Sequence, residues 1–300
     1  MNLCFRTLSV SHNLLNSVLL TRKCYFSTHR LISNGISIAR KDKKRGEDAY
    51  YISENSVAVA DGVGGWADCG VDPGEFSREL VSQLSSNLKN PIKGQNEFQE
   101  KVVQSVDSTI TKIPKGSSTL CSLVKDSLND IYLYNIGDSG LFQYRYGINP
   151  QKHIQQKNVK TSPNTNLLPE WYICFASSEQ LHGFNFPAQL GKQGDNPNKG
   201  KFEKLDIQKN DLFLLGTDGL FDNLFHNNIT DIINKHKDIQ INPDNIQMYL
   251  NDILHNIVDQ AVQLSQSKKF SPFEYSARMA GYQFKGGKED DITAILSLVI

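Results

Sequence analysis

Ala58-Val59-Ala60-Asp61-Gly62-Val63-Gly64-Gly65-Trp66 is a short apolar run that stops at a carboxylate and continues in glycines. Val57, Ala58 and Val59 predict a buried strand, and the glycines let the chain turn and come close to a ligand. Asp61 then stands at the mouth of a strand, where a rigid sheet would fix it, with the bare carbonyl of Gly62 beside it. Oxygen donors of this kind suit hard divalent cations. Asp-Gly after a strand is also an ordinary turn, and a single such stretch does not separate the two readings.

The pattern recurs. Leu212-Phe213-Leu214-Leu215-Gly216-Thr217-Asp218-Gly219 is a second apolar run ending in Asp-Gly, and Ile131-Tyr132-Leu133-Tyr134-Asn135-Ile136-Gly137-Asp138 is a third ending in Asp. A fourth runs the other way, with Gly286-Gly287-Lys288-Glu289-Asp290-Asp291 leading into the apolar run from Ile292 to Ile300. Strands that bring carboxylates to one edge of a core would build a polynuclear metal site, because their mutual repulsion requires cations.

Taken in order, Glu47-Asp48, Asp61-Gly62, Gly137-Asp138-Ser139, Asp218-Gly219-Leu220-Phe221-Asp222 and Asp290-Asp291-Ile292-Thr293 resemble the motifs of the metal-dependent type 2C serine/threonine protein phosphatases. Asp61-Gly62-Val63-Gly64-Gly65-Trp66, Gly70-Val71-Asp72-Pro73, Phe184-Asn185-Phe186-Pro187 and Gly286-Gly287-Lys288 are similar to their mitochondrial branch. The resemblance runs from about Gly46 to Ile300. It implies a mixed α/β fold in which two antiparallel sheets pack face to face with helices outside, a four-layer sandwich. It also implies two or three Mn2+ or Mg2+ ions per chain. Asp61 would bridge two of them, with Asp218 and Asp290 on one and Glu47 and the Gly62 carbonyl on the other. Asp138 would help to hold a weaker third. Asp48, Asp222 and Asp291 would support these ligands from behind or through water. The resemblance thus implies that Asp61, Asp218 and Asp290 would be the catalytic core, hydrolysing phosphoserine and phosphothreonine through a water activated by two metals. An all-oxygen donor set suits manganese or magnesium, whereas zinc favours His and Cys.

Two positions depart from the family pattern. The arginine that holds substrate phosphate before the Glu-Asp pair is replaced by Lys43, so that Arg45 or Arg40 could serve only in a shifted register. Lysine offers a point charge instead of a two-pronged fork. Val63 stands where many relatives carry a histidine that protonates the leaving alcohol, and valine has no proton to give. His182 reads as a structural or surface histidine, with a place in the cleft as the alternative.

The 300 residues, 39% hydrophobic and 21% charged, suit a globular chain with a sizeable core. Zero net charge hides an asymmetry: residues 1–41 contain six basic and no acidic residues, which leaves 26 basic against 32 acidic in the rest. Such a leader has the composition of a mitochondrial transit peptide, with Leu14, Leu15, Val18 and Leu19 as its apolar face and cleavage near Phe26. A secretory signal fits less well, because Asn13, Asn16 and Ser17 interrupt its apolar stretch. The expected organisation is a leader over 1–41 and a phosphatase domain over 42–300, located in the mitochondrial matrix. Its expected partners are phosphoprotein substrates among matrix metabolic enzymes, possible targets including those of coenzyme Q synthesis.

No run reaches the length of a membrane span, and a monomer is expected. The basic run from Lys41 to Arg45 is short and lacks aromatic platforms, so nucleic acid is not an expected partner. The five cysteines show no paired spacing and read as reduced, mostly buried thiols. Helical faces run through Phe76, Leu80, Leu84 and Leu88, from Phe98 to Ile110, and from Met248 to Ser267. Segments 146–169 and 191–201 read as surface loops inserted in one domain. Two rival functions are a phosphatase-like binding module without catalysis and a hydrolase of small phosphate esters. The complete Asp61, Asp218 and Asp290 set speaks against the first, and the absence of a Gly-Lys-Ser/Thr phosphate loop speaks against a nucleoside triphosphatase.

Overall fold

A computed structural model describes residues 29–152 and 167–300. Strand β3 (Ser56–Asp61) lies between β2 (Asp48–Ile52) and β5 (Leu120–Lys125), and its residues from Ser56 to Ala60 are buried. Its two faces serve two different cores. Val57 and Val59 pack with Leu123, Leu133, Phe213 and Ile295, whereas Ala58 and Ala60 pack with Phe76 and Leu80 of helix α1 (Pro73–Asn87). A strand covered on both faces needs apolar residues in succession, which is why this run does not alternate with polar ones.

The first sheet has the order β12 (Lys201–Leu205), β6 (Ile131–Ile136), β5, β3, β2. The second has the order β1 (Leu31–Ile38), β14 (Ile292–Val299), β13 (Leu212–Gly216), β7 (Gly140–Gly147), β8 (Glu170–Ala176). Every neighbouring pair is antiparallel. Two short pairs, β4 (Ser117–Ser118) with β11 (Leu190–Gly191) and β9 (Leu181–Gly183) with β10 (Phe186–Pro187), lie outside the two main sheets.

Helix α1 and α2 (Gln95–Lys112) close the outer face of the first sheet through Phe76, Leu84, Phe98 and Val102. On the second sheet, a single turn α3 (Asp218–Phe221), α4 (His226–Asn234) and α5 (Ile246–Ser265) bury Leu220, Ile229, Leu250, Ile253 and Ile257 against Leu212, Leu214, Ala294 and Leu296. A further helix, α6 (Pro272–Met279), follows α5. The four-layer sandwich expected from the motifs is present. Among the described residues, no helix is long and apolar enough to cross a membrane.

Two expectations need correction. The folded domain does not begin at residue 42, because β1 pairs with β14 from Leu31↔Val299 to Ile38↔Ile292, Leu31 enters the core between the sheets, and Ser33 Oγ meets Ser297 Oγ at 2.7 Å. An acid-free stretch rich in hydroxyls has the composition of a leader and of an edge strand alike, so composition placed it on the wrong side of the boundary. The cysteines are also less buried than expected: Cys121 is buried, but Cys69 and Cys174 are exposed. Cys4, Cys24, the leader's apolar face and its cleavage site lie outside the described residues, as does most of the 146–169 loop.

A chain beginning at residue 29 should fold, whereas one beginning at residue 42 loses β1 and the Leu31 side chain from the inter-sheet core. The shorter chain is expected to be less stable by about 3 kcal/mol or more, a fall in thermal midpoint of roughly 6–12 °C for a domain of this size. Equal melting of the two chains would place the domain start at residue 42 after all.

Candidate metal centre and active site

The strand ends set the site. Asp48 opens β2 and Asp61 closes β3, and the two lie directly opposite each other in the ladder. In the facing sheet Gly216 closes β13 opposite Ala294 near the start of β14, so Thr217-Asp218 and Asp290-Asp291 emerge at the same end. Gly137-Asp138 follows β6 there too. Glu47, Asp61, Gly62, Asp138, Asp218 and Asp290 line one cleft of about 320 Å³, together with Arg40, Lys43, Val63, Thr119, Asn185 and Lys288.

The start of α1 fixes one wall. Asp72 caps the helix by accepting from the Gly74 N–H at 2.9 Å, and Pro73 occupies the first turn, where its missing N–H costs nothing. From this turn Arg78 Nη1 donates to the Gly46 carbonyl at 2.9 Å and Ser77 Oγ donates to the Glu47 carbonyl. Gly62 passes so close that an added Cβ would lie 2.4 Å from the Pro73 carbonyl oxygen. Its bridge to Ser118 is made by the flanking residues, Val63 N–H to Ser117 and Thr119 N–H to Asp61, which leaves the Gly62 carbonyl outside that ladder.

Asp291 fixes the other wall. One carboxylate oxygen accepts from the Arg40 N–H and the other from the Glu47 N–H, each at 2.6 Å. It therefore ties the 40–47 segment, with its Arg40, Lys43 and Glu47 side chains, to the start of β14. The α3 turn sits directly on the start of β14, since a Cβ on Gly219 would lie 1.9 Å from the Asp291 carbonyl oxygen. Thr217 joins the two sheets: its Oγ1 donates to Asp48 Oδ2 at 2.8 Å and accepts from the Thr293 N–H at 3.1 Å.

Burial dominates the electrostatics, and like charge adds to it. Asp61 is held well above the usual carboxylate range by desolvation and then by Asp218, Asp48, Asp290 and Asp138. Burial, with Asp218 next, raises Asp138 in the same way. Burial also pushes Asp48 up to about 8 and Asp222 up to about 7, and raises Asp290. Asp218 is the exception. Burial opposes its charge too, but the Lys288 ammonium holds its carboxyl below the ordinary value.

Lys288 was not assigned a role from the sequence, and it is the chief cation of the site. Its Nζ donates to Asp218, lies 2.8 Å from Asp222 and 3.2 Å from Asp290, and sits 5.2 Å from the centre of the Phe273 ring. Asn223 clamps its backbone, accepting from the Lys288 N–H at 3.0 Å and donating to its carbonyl at 2.9 Å. The Gly-Gly-Lys tripeptide marked the segment in the sequence, but nothing there told which way the ammonium points. Thr217 and Asn223 were likewise silent, being short polar residues of ordinary type.

Of the three phosphate-binding candidates, Lys43 lines the cleft, 2.8 Å from Glu47. Arg40 also lines it but forks onto Asp42. Arg45 points away and lines a separate hollow with Gly46, Tyr50 and Arg78, the 40–47 segment being a run of turns and bends before β2. His182 lies outside the cleft, half exposed and 2.7 Å from Asp195 Oδ2, on the side read as structural or surface.

The donor set fits divalent cations by its chemistry. Asp48 Oδ1, Asp138 Oδ1 and Asp218 Oδ1 are buried without a hydrogen-bond partner among the described residues, a costly arrangement for a carboxylate unless a cation satisfies it. No three carboxylates among the described residues form a closed cage of their own, and the point where Asp218, Asp222 and Asp290 converge is taken by Lys288.

No protein-family model matches the chain. Probable protein phosphatase 2C 80 of Arabidopsis thaliana is 35% identical over 277 residues, covering 90% of this chain, and the chain spans 59% of that relative's length. Protein phosphatase PTC7 homolog fig of Drosophila mojavensis is 32% identical over 277 residues, covering 86% of this chain and 79% of the relative. Among solved structures, the photosystem II phosphatase PBCP has a TM-score of 0.70 at 24% identity, with 90% of this chain and 99% of that one covered. The catalytic domain of the serine threonine protein phosphatase PstP, solved in complex with 2 manganese ions, has a TM-score of 0.56 at 16% identity, covering 91% and 100%. At these identities the two structures establish the fold.

Two measurements check this geometry. Asp291→Asn removes one acceptor from a doubly used carboxylate, and should cost about 1–3 kcal/mol and speed amide exchange at Arg40 and Glu47. In chelator, thermal stability should fall as pH rises from about 4 to about 8. Asp48 and Asp222 keep protons in the folded state that the unfolded chain has already released, so their contribution is full below the unfolded value and lost above the folded one. A midpoint that climbs over that range would contradict the burial of these carboxyls.

Proposed function

The chain belongs to the protein phosphatase 2C family, and from that premise we propose that it is a metal-dependent protein serine/threonine phosphatase. The observation that carries the reading is the convergence of Glu47, Asp61, Gly62, Asp218 and Asp290 on one cleft from strand ends of both sheets. Asp61, with Asp218 and Asp290 on one side and Glu47 and the Gly62 carbonyl on the other, would hold two divalent ions, manganese or magnesium. Asp138 would contribute to a third. When bound, such ions acidify a water and neutralise charge on phosphoryl oxygens.

The chain's own residues do the remainder. Lys43, an ammonium on the cleft wall, is positioned to meet a phosphoryl oxygen, and Asp291 holds the segment that carries it. Val63 lines the cleft where a proton donor would help the leaving alcohol, so that departure is unassisted from this position. The substrates in this reading are phosphoproteins of the mitochondrial matrix, a location supported by the basic, acid-free leader.

Hydrolysis of a phosphoserine peptide with and without Mn2+ tests the activity. Turnover should require the metal, and Asp61→Asn or Asp218→Asn should lower it by about 10²-fold or more. Turnover that persists in chelator would sink the reading. Over a series of phosphate esters the rate should depend steeply on leaving-group pKa, and Val63→His should flatten the slope by supplying an acid typically worth about 10²–10⁴-fold. For the location, residues 1–26 fused to a reporter should carry it into mitochondria, and a reporter left in the cytosol would refute it.

A further inference from the structure

We propose that Lys288 is an internal counter-ion of the metal centre, an ammonium that a divalent cation must displace from Asp218 and Asp290 in order to bind. The inference rests on the reading of Asp218 and Asp290 as metal ligands. Three carboxylates surround one ammonium at hydrogen-bond or ion-pair distance, and two of the three belong to the proposed ligand set. Asp218 is nine-tenths buried, with one oxygen on Lys288 and the other without a partner. The ammonium stands between Asp218 and Asp290, so an ion that takes both carboxylates has to take its place.

The anchoring of Lys288 suits exchange. Its backbone is fixed at both N–H and carbonyl by Asn223, while Gly286 N–H donates to Glu274 Oε2 at 2.7 Å and Gly287 N–H to the Ser267 carbonyl at 2.9 Å. Only the four-carbon stem is free to swing, and the side chain lines the open cleft, so the ammonium can leave the carboxylates without moving the chain. Displacement exchanges one positive charge for two beside the same acids, so the cluster as a whole is no less compensated than before. The cost of moving Lys288 is subtracted from the affinity of the metal. The site thus has a threshold: at low divalent concentration the lysine neutralises the acids, and at higher concentration the ion replaces it.

The test is direct Mn2+ binding to the full chain, followed by the loss of the free-Mn2+ electron paramagnetic signal. Lys288→Met should tighten the weaker of the resolved sites about tenfold or more, since even in water-like screening a unit charge about 5 Å from a divalent ion repels it by that factor. It should also widen the gap in melting temperature between chelator and Mn2+. Lys288→Arg keeps the charge and should bind within about threefold of the unaltered protein. Equal tightening in both variants, or none in Lys288→Met, overturns the proposal, whereas absence of Mn2+ binding to the unaltered protein overturns the metal reading beneath it. Without any variant, acylation of lysines read by mass spectrometry should find Lys288 protected in chelator and reactive once Mn2+ is added. Protection that does not change with Mn2+ likewise overturns displacement.

Discussion

Repulsion among buried carboxylates governs this structure. Asp48 and Asp61 face each other across a ladder, and Asp138, Asp218, Asp222 and Asp290 reach the same region from other strands and turns. Left alone such a group would expel its charges by holding protons or by opening the fold. Protons, Lys288 and bound cations are the three ways in which the charge can be relieved. If each can replace another, as the proposed metal centre requires, the acidity, the stability and the metal affinity of the site would form a single equilibrium.

The rest of the fold serves to keep the acids in place against that force. Two sheets closed on both faces by helices supply a rigid base, with Val57, Val59, Phe213 and Ile295 between them. Backbone contacts too close for any side chain, at Gly62 and Gly219, lock the turns that carry Asp61 and Asp218. Asp291 contributes differently from its acidic neighbours: both of its oxygens accept from backbone N–H groups, so it holds the 40–47 segment in place.

Much of this was legible in the sequence because it is written in local pattern. Apolar runs buried on both faces read as strands, the Phe76, Leu80, Leu84 and Leu88 spacing read as a helix, and acids placed at strand ends read as a cluster. What was not legible depends on which way a side chain turns after the fold has closed. Lys288 and Arg45 are both basic residues beside acidic motifs, yet one enters the cleft and the other faces away. Likewise Ser33, Gly35 and Ser37 carry no periodicity that separates an edge strand from a leader, and only the pairing with β14 decides the matter.

That pairing joins the two ends of the described fold. Arg30 donates its N–H to the Ile300 carbonyl and accepts from the Ile300 N–H, so the first strand is zipped along the last one. Strand β1 has no ladder partner until β14 is in place, and β14 is also the neighbour of β13. The second sheet cannot be finished on a partial chain, and contacts of such long sequence separation form late in any case. A chain without β14 would leave β1 unpaired and β13 with an open edge, and open edges of this kind invite pairing with other chains.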